Sequence, residues 1–115
     1  MTSTGVRMII EWSVPMGQAR PLTGALNSLA ADVRPTPGCV SCSVTTDLAK
    51  RNTVRYVEQW QTENDLRERV MADTFRYLVS LMEEASQPPH IEFALVRGTK
   101  GFEFVEEARR AHANG

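Results

Sequence analysis

The chain has 115 residues, 42% apolar and 23% charged, with thirteen Lys/Arg against fourteen Asp/Glu for a net charge of −1. That is ordinary globular composition: it excludes disorder and low complexity, suits one domain, and offers no positive field to hold a nucleic-acid backbone. No apolar run approaches the ~20 residues that span a bilayer, so no membrane partner is expected.

The first residues, Met1-Thr2-Ser3-Thr4-Gly5, lack the charged start and apolar core of a signal peptide, and a cytoplasmic location is expected. Cys39 and Cys42 form a lone C-x-x-C. On a strand, a separation of three sends them to opposite faces, so they read as reduced and inert. No second cysteine pair or histidine cluster completes a metal site.

Residues 6–14 (VRMIIEWSV) read as a strand ended by Pro15, with Val6, Met8, Ile10, Trp12 and Val14 on one face. A helix follows from Ala19 to Arg34. Its stripe is Leu22, Leu26, Leu29 and Val33, Pro21 sits in its first turn, and Pro35-Thr36-Pro37-Gly38 stops it. Strands at 39–47 and 52–60 flank a hairpin loop at Asp47–Asn52, and the second sets Val54, Tyr56, Glu58 and Trp60 on one face. Thr62-Glu63-Asn64-Asp65 resembles a capping box opening a short helix with Leu66 and Val70. Asp73 is expected to cap a further helix striped by Phe75, Leu78, Leu81/Met82 and Ala85, and Gln87-Pro88-Pro89 ends it. A last strand is expected over His90–Arg97, and a tail over 98–115 with the spacing of a short amphipathic helix (Phe102, Val105, Ala108).

The order β-α-β-β-α-β predicts an α+β, ferredoxin-like split βαβ: a four-stranded antiparallel sheet with helices on one face. Neither face of the first or last strand is polar enough to sit in water, so a second copy is expected to cover the open side.

Pro37-Gly38-Cys39, Tyr56-Val57-Glu58-Gln59-Trp60, Leu66, Phe75-Arg76-Tyr77-Leu78 and Pro88-Pro89 occur in an order and spacing that resemble the antibiotic biosynthesis monooxygenase domain family over about residues 6–97. The resemblance implies a domain at 1–97 that forms a dimeric α+β barrel, with a pocket in each subunit between sheet and helices. It also implies cofactor-independent oxygenation of an aromatic polyketide or quinol-like molecule by molecular oxygen. Relatives of this type carry an Asn on the first strand and an Arg late on the last helix, whereas this chain has Met8-Ile9-Ile10-Glu11-Trp12 and Ser80-Leu81-Met82-Glu83. Haem-degrading relatives add a Trp and a His where this chain has Arg69 and Val79.

Trp60, Glu58 and Tyr56 share a strand face and are the candidate catalytic residues. The indole and phenol can orient a flat substrate, and the carboxylate can deprotonate a phenol or enol into an anion electron-rich enough to reduce O₂. The competing reading makes the aromatics core packing and pairs Glu58 with an arginine such as Arg76. Trp12, Phe75, Leu78 and Met82 are candidates for the apolar wall of the pocket, and His90 for an acid or base at its edge. Arg67, Arg69 and Arg76 lie among acids as a solvated helix face, from which Arg69 alone can turn inward. No nucleotide-phosphate motif and no serine elbow is present. A cyclase or isomerase using the same pocket, and a non-catalytic ligand-binding dimer, remain the alternatives.

Overall fold

A computed structural model describes residues 5–15, 17–47 and 53–114. Strand β1 (Val6–Ser13) is rich in Val, Ile and Trp and ends before Pro15, and helix α1 (Ala19–Val33) buries Leu26, Leu29, Ala30 and Val33 along its stripe. Strands β2 (Cys39–Asp47) and β3 (Thr53–Trp60) form an antiparallel pair whose connection, residues 48–52, lies outside the described residues. Helices α2 (Glu63–Arg69) and α3 (Asp73–Glu83) lead to β4 (His90–Leu95), β5 (Gly98–Lys100) and α4 (Glu103–Asn114).

The sheet has five strands in the order β2-β3-β1-β4-β5, all neighbours antiparallel. The fifth strand corrects the four-stranded expectation. Gly98, at φ 136, begins β5, which pairs back on β4. The strand expected over His90–Arg97 therefore ends at Leu95.

Register decides which face meets the helices. Met8 stands opposite both Glu58 and Phe93, Ile10 opposite Tyr56 and Ile91, and Trp12 opposite Val54. These residues share one side, and their apolar members cluster with Leu26, Leu66, Phe75, Leu78 and Phe104 from the four helices. The opposite side presents Arg7, Ile9, Glu11, Arg55, Val57, Gln59, Glu92 and Ala94.

Two local devices set the sheet edge. Gly38 has φ 91, so the Pro-Gly-Cys turn requires glycine for its left-handed backbone; a Cβ there would also come 2.6 Å from the Asp65 carboxyl carbon on α2, which would have to swing aside. Between Cys39 and Ser41 the pairing slips by one residue, a β-bulge. Cys39 consequently faces Trp60 and Cys42 faces Glu58. Strict alternation predicts opposite faces for the two cysteines; the inserted residue puts both on the helix side.

The caps differ in part from expectation. Thr62 does cap α2, its Oγ1 accepting the Asp65 N–H at 3.0 Å. Asp73 does not cap α3: it is the first helical residue, and Ala72 takes the cap position without a side-chain bond. No helix among the described residues is long and apolar enough to cross a membrane.

Candidate functional site

Two features on the helix side of the sheet carry polar chemistry, at opposite ends of the β1–β3 pair. The first is built on β3. Alternation brings Tyr56, Glu58 and Trp60 to one face, all essentially buried. Glu58 Oε2 accepts the Tyr56 hydroxyl at 2.5 Å, and Oε1 accepts the Trp60 Nε1–H at 2.9 Å. Arg69, in the last turn of α2, donates its Nε–H to both oxygens at 3.0 and 3.1 Å and an Nη2–H to Oε2 at 2.9 Å. Its Nη1 reaches the Thr74 hydroxyl at 2.9 Å, and the guanidinium lies 5.7 Å from the centroid of the Phe75 ring. The Cys42 thiol donates to the Tyr56 oxygen at 3.2 Å.

The arginine that meets Glu58 is thus Arg69, not Arg76, which lies exposed on α3. Burial alone would lower the Arg69 pKa, but the Glu58 charge and hydrogen bonds outweigh it and raise it. Burial, followed by the Glu58 charge, pushes the Tyr56 phenol far above its ordinary value. Burial also pushes the Cys42 thiol up to about 11, partly opposed by its bond with Tyr56, and raises the half-buried Cys39 thiol as well. Both cysteines are free and kept as neutral thiols, the state in which sulfur is a poor nucleophile.

Chemically this constellation is closed. Both Glu58 oxygens are engaged by internal donors, and the carboxylate charge is matched by a guanidinium with 3% of its side chain exposed. Such an arrangement fixes α2 and the α2–α3 junction onto β3.

The second feature is an open cleft of about 480 Å³ at the C-terminal end of β1. It lies between the start of α1 and the end of α3, walled by Trp12, Pro21, Leu22, Ala25, Leu81 and Ala85. Gln18 and Glu84, both exposed, supply its polar rim. This size and mostly apolar lining suit a small organic molecule. Trp12 is 1% exposed, and its indole Nε1 is the one buried side-chain polar atom that finds no hydrogen-bond partner among the described residues. A second cleft, of about 400 Å³, runs between α2 and α4 past Asn64, Arg67, Met71 and His112.

Of the residues singled out from the sequence, Tyr56, Glu58 and Trp60 come together, and Trp12 reaches the cleft roughly 20 Å along the strand from the Trp60 end. Phe75 and Leu78 are fully buried core, and Met82 is half-buried against it. His90 stands exposed at the start of β4, its Nε2 3.7 Å from a Glu92 oxygen, and lines neither cleft. Sequence reasoning missed Gln18, Ala25 and Glu84: Gln18 and Glu84 sit at the cap positions of α1 and α3, while Ala25 lies in the middle of α1, off its leucine stripe. Among the described residues no group of three or more His, Cys, Asp or Glu is placed to hold a metal ion.

Comparison with known proteins agrees with this architecture. A conserved protein from Methanosarcina mazei Go1 superposes with a TM-score of 0.71 at 18% identity, over 81% of this chain and 93% of that one. A protein from Shewanella oneidensis gives 0.69 at 22%, over 80% and 90%. A structure named antibiotic biosynthesis monooxygenase gives 0.64 at 16%, over 76% and 94%. At these identities the likeness is one of fold. No curated protein matches the chain. The family model for antibiotic biosynthesis monooxygenase matches residues 5–81, from β1 through most of α3, and the chain therefore belongs to that family.

Proposed function

We propose that the protein is a cofactor-independent monooxygenase that takes a flat aromatic or quinol-like molecule into the cleft beside Trp12. The observation that carries this reading is an apolar, indole-walled cleft between sheet and helices in a chain of this family. In the proposed reaction a phenolic substrate gives its proton to water, which returns it at the peroxide stage, and the anion transfers one electron to O₂. The radicals couple to a ring hydroperoxide, and water leaves to give a quinone. One oxygen atom enters the product and the other departs as water, with all electrons drawn from the substrate. The Tyr56–Glu58–Trp60–Arg69 network serves this chemistry by holding the scaffold. Two copies pairing through the open sheet face belong to the same proposal.

One observation favours a non-catalytic ligand-binding role instead: the buried carboxylate best suited to abstract a proton, Glu58, has both oxygens occupied. Oxygen uptake separates the readings. Metal-free protein is mixed with naphthols, hydroquinones and anthrones, and dissolved O₂ is followed with product formation. Uptake above the protein-free rate is expected for at least one class, falling tenfold or more in Ala25→Phe, which fills the cleft. Uptake equal to the protein-free rate across all three classes defeats the oxygenase reading.

A further inference from the structure

We infer that Tyr56, Glu58 and Cys42 form an internal radical trap: an organic peroxyl radical takes an electron from Tyr56, the phenol proton passes to Glu58, and the Cys42 thiol then gives its hydrogen atom to the phenoxyl. The inference goes beyond the proposed oxygenation and rests on it only for where the oxidant arises, a carbon-centred substrate radical that has added O₂.

The Glu58 network is closed to ligands, because Tyr56, Glu58, Trp60 and Arg69 are buried and both carboxylate oxygens are engaged. Electrons, unlike ligands, tunnel through packed protein. Three oxidisable side chains, Tyr56, Trp60 and Cys42, are hydrogen-bonded to or through this one base. A phenol that loses an electron becomes strongly acidic, so it is readily oxidised only where a base takes its proton in the same step. Tyr56 has that base, its hydroxyl donating to Glu58 Oε2 at 2.5 Å. Burial and the Glu58 charge keep the phenol neutral until the electron leaves. On the same phenolic oxygen the Cys42 thiol donates at 3.2 Å. Its burial keeps the sulfur protonated, the form that can deliver a hydrogen atom.

Trp12 connects the trap to the cleft it lines. It shares the helix side of the sheet with Tyr56, and the register puts their Cα atoms roughly 8 Å apart. Its Nε1–H has no acceptor among the described residues, so an oxidised Trp12 finds no base for its proton and hands the electron deficit on. The steps balance. The peroxyl radical gains one electron and, with a proton from water, becomes a hydroperoxide. The Tyr56 O–H bond breaks toward Glu58, and it re-forms as the Cys42 S–H bond breaks. Tyr56 is restored, Cys42 carries the thiyl radical and Glu58 holds the proton.

Flash oxidation of the full chain by photogenerated tris(bipyridine)ruthenium(III) tests this without substrate. The one other tyrosine, Tyr77, is exposed, so every measurement is made on Tyr77→Phe. With Cys42→Ala added, electron paramagnetic resonance is expected to show a tyrosyl signal; with Cys42 present that signal decays roughly tenfold faster. After oxidation in air, peptide mass spectrometry is expected to find several times more sulfinic and sulfonic acid at buried Cys42 than at half-buried Cys39, the reverse of the order that exposure dictates. Tyr56→Phe is expected to abolish that excess. Cys42→Ala removes no charge and no member of the Glu58–Arg69 pair, so the tyrosyl readout stands even if Tyr56→Phe is destabilised. No tyrosyl signal in the Cys42→Ala chain, a decay indifferent to Cys42, or Cys39 oxidised ahead of Cys42 each overturns the inference. A working trap in a chain that takes up no oxygen with any phenol would defeat the oxygenase reading alone. Oxygen uptake without a tyrosyl signal would defeat only the inference.

Discussion

Glu58 and Arg69 show how one buried charge organises its surroundings. Arg69 approaches from a different element, yet its guanidinium and two aromatic donors together saturate the carboxylate. Removing one member of such a pair leaves the other charged in a medium that solvates it poorly. Arg69→Met should therefore lower the unfolding free energy by about 3–5 kcal/mol, measured by urea denaturation at neutral pH. A loss below about 1 kcal/mol would mean that the pair is far better hydrated than its burial implies. The shared face of Tyr56, Glu58 and Trp60 was legible from period-two alternation alone. Their partner was legible only in part: the sequence singles out Arg69 as the arginine able to turn inward, but α2 spans only seven residues, too few for periodicity to show that it, rather than Arg76, meets Glu58. The same limit hid the unpaired state of Trp12. Its face follows from alternation, but whether an acceptor reaches it depends on packing between distant segments.

Among the elements, α4 has a clear structural task. Phe104 stacks on Phe93 of β4 with ring centroids 4.6 Å apart, and the Arg67 guanidinium lies 5.5 Å from the centroid of the Phe104 ring. Phe104, Val105 and Ala108 join the core, while Lys100 and Glu107 pair at 2.6 Å on the outside. The Lys100 hydrogen bond and charge hold the Glu107 carboxyl below the usual range. The segment beyond residue 97 thus roofs the β4 side of the sheet, outside the stretch the family model covers. Phe104→Ala is expected to cost about 3–5 kcal/mol, the range for truncating a buried aromatic. Hydrogen exchange should show amides of α4 opening well before those of β1. Uniform protection across the two would show that α4 is bound into the core more firmly than its few anchors suggest. The long stripes of α1 and α3 made both helices legible in the sequence. Three-residue β5 is too short for alternation, and the bulge before Ser41 adds a residue that no composition signal marks.

For the whole molecule, the open face of the sheet is the surface left to explain. Ile9 is nearly buried, and Val57 and Ala94 are half-buried, in a stripe bordered by the exposed Arg7, Arg55 and Ser43. Under the proposed pairing, sedimentation at micromolar concentration shows a dimer, and Val57→Lys converts it to a monomer that retains its circular dichroism. A wild-type monomer at that concentration would defeat the pairing. The strand order has a consequence of a different kind. Because β1 lies between β3 and β4, the first strand synthesised completes its pairing only with residues made about 80 positions later. At 5–20 residues per second a ribosome needs roughly 4–16 s to supply them. Through that interval the nascent chain carries Met8, Ile10 and Trp12 on a strand with one edge still open. Contacts so distant in sequence also slow the search for the native state. The centre of the sheet is thus laid down first and closed nearly last, which makes the period of synthesis the time at which this chain is most exposed to wrong partners.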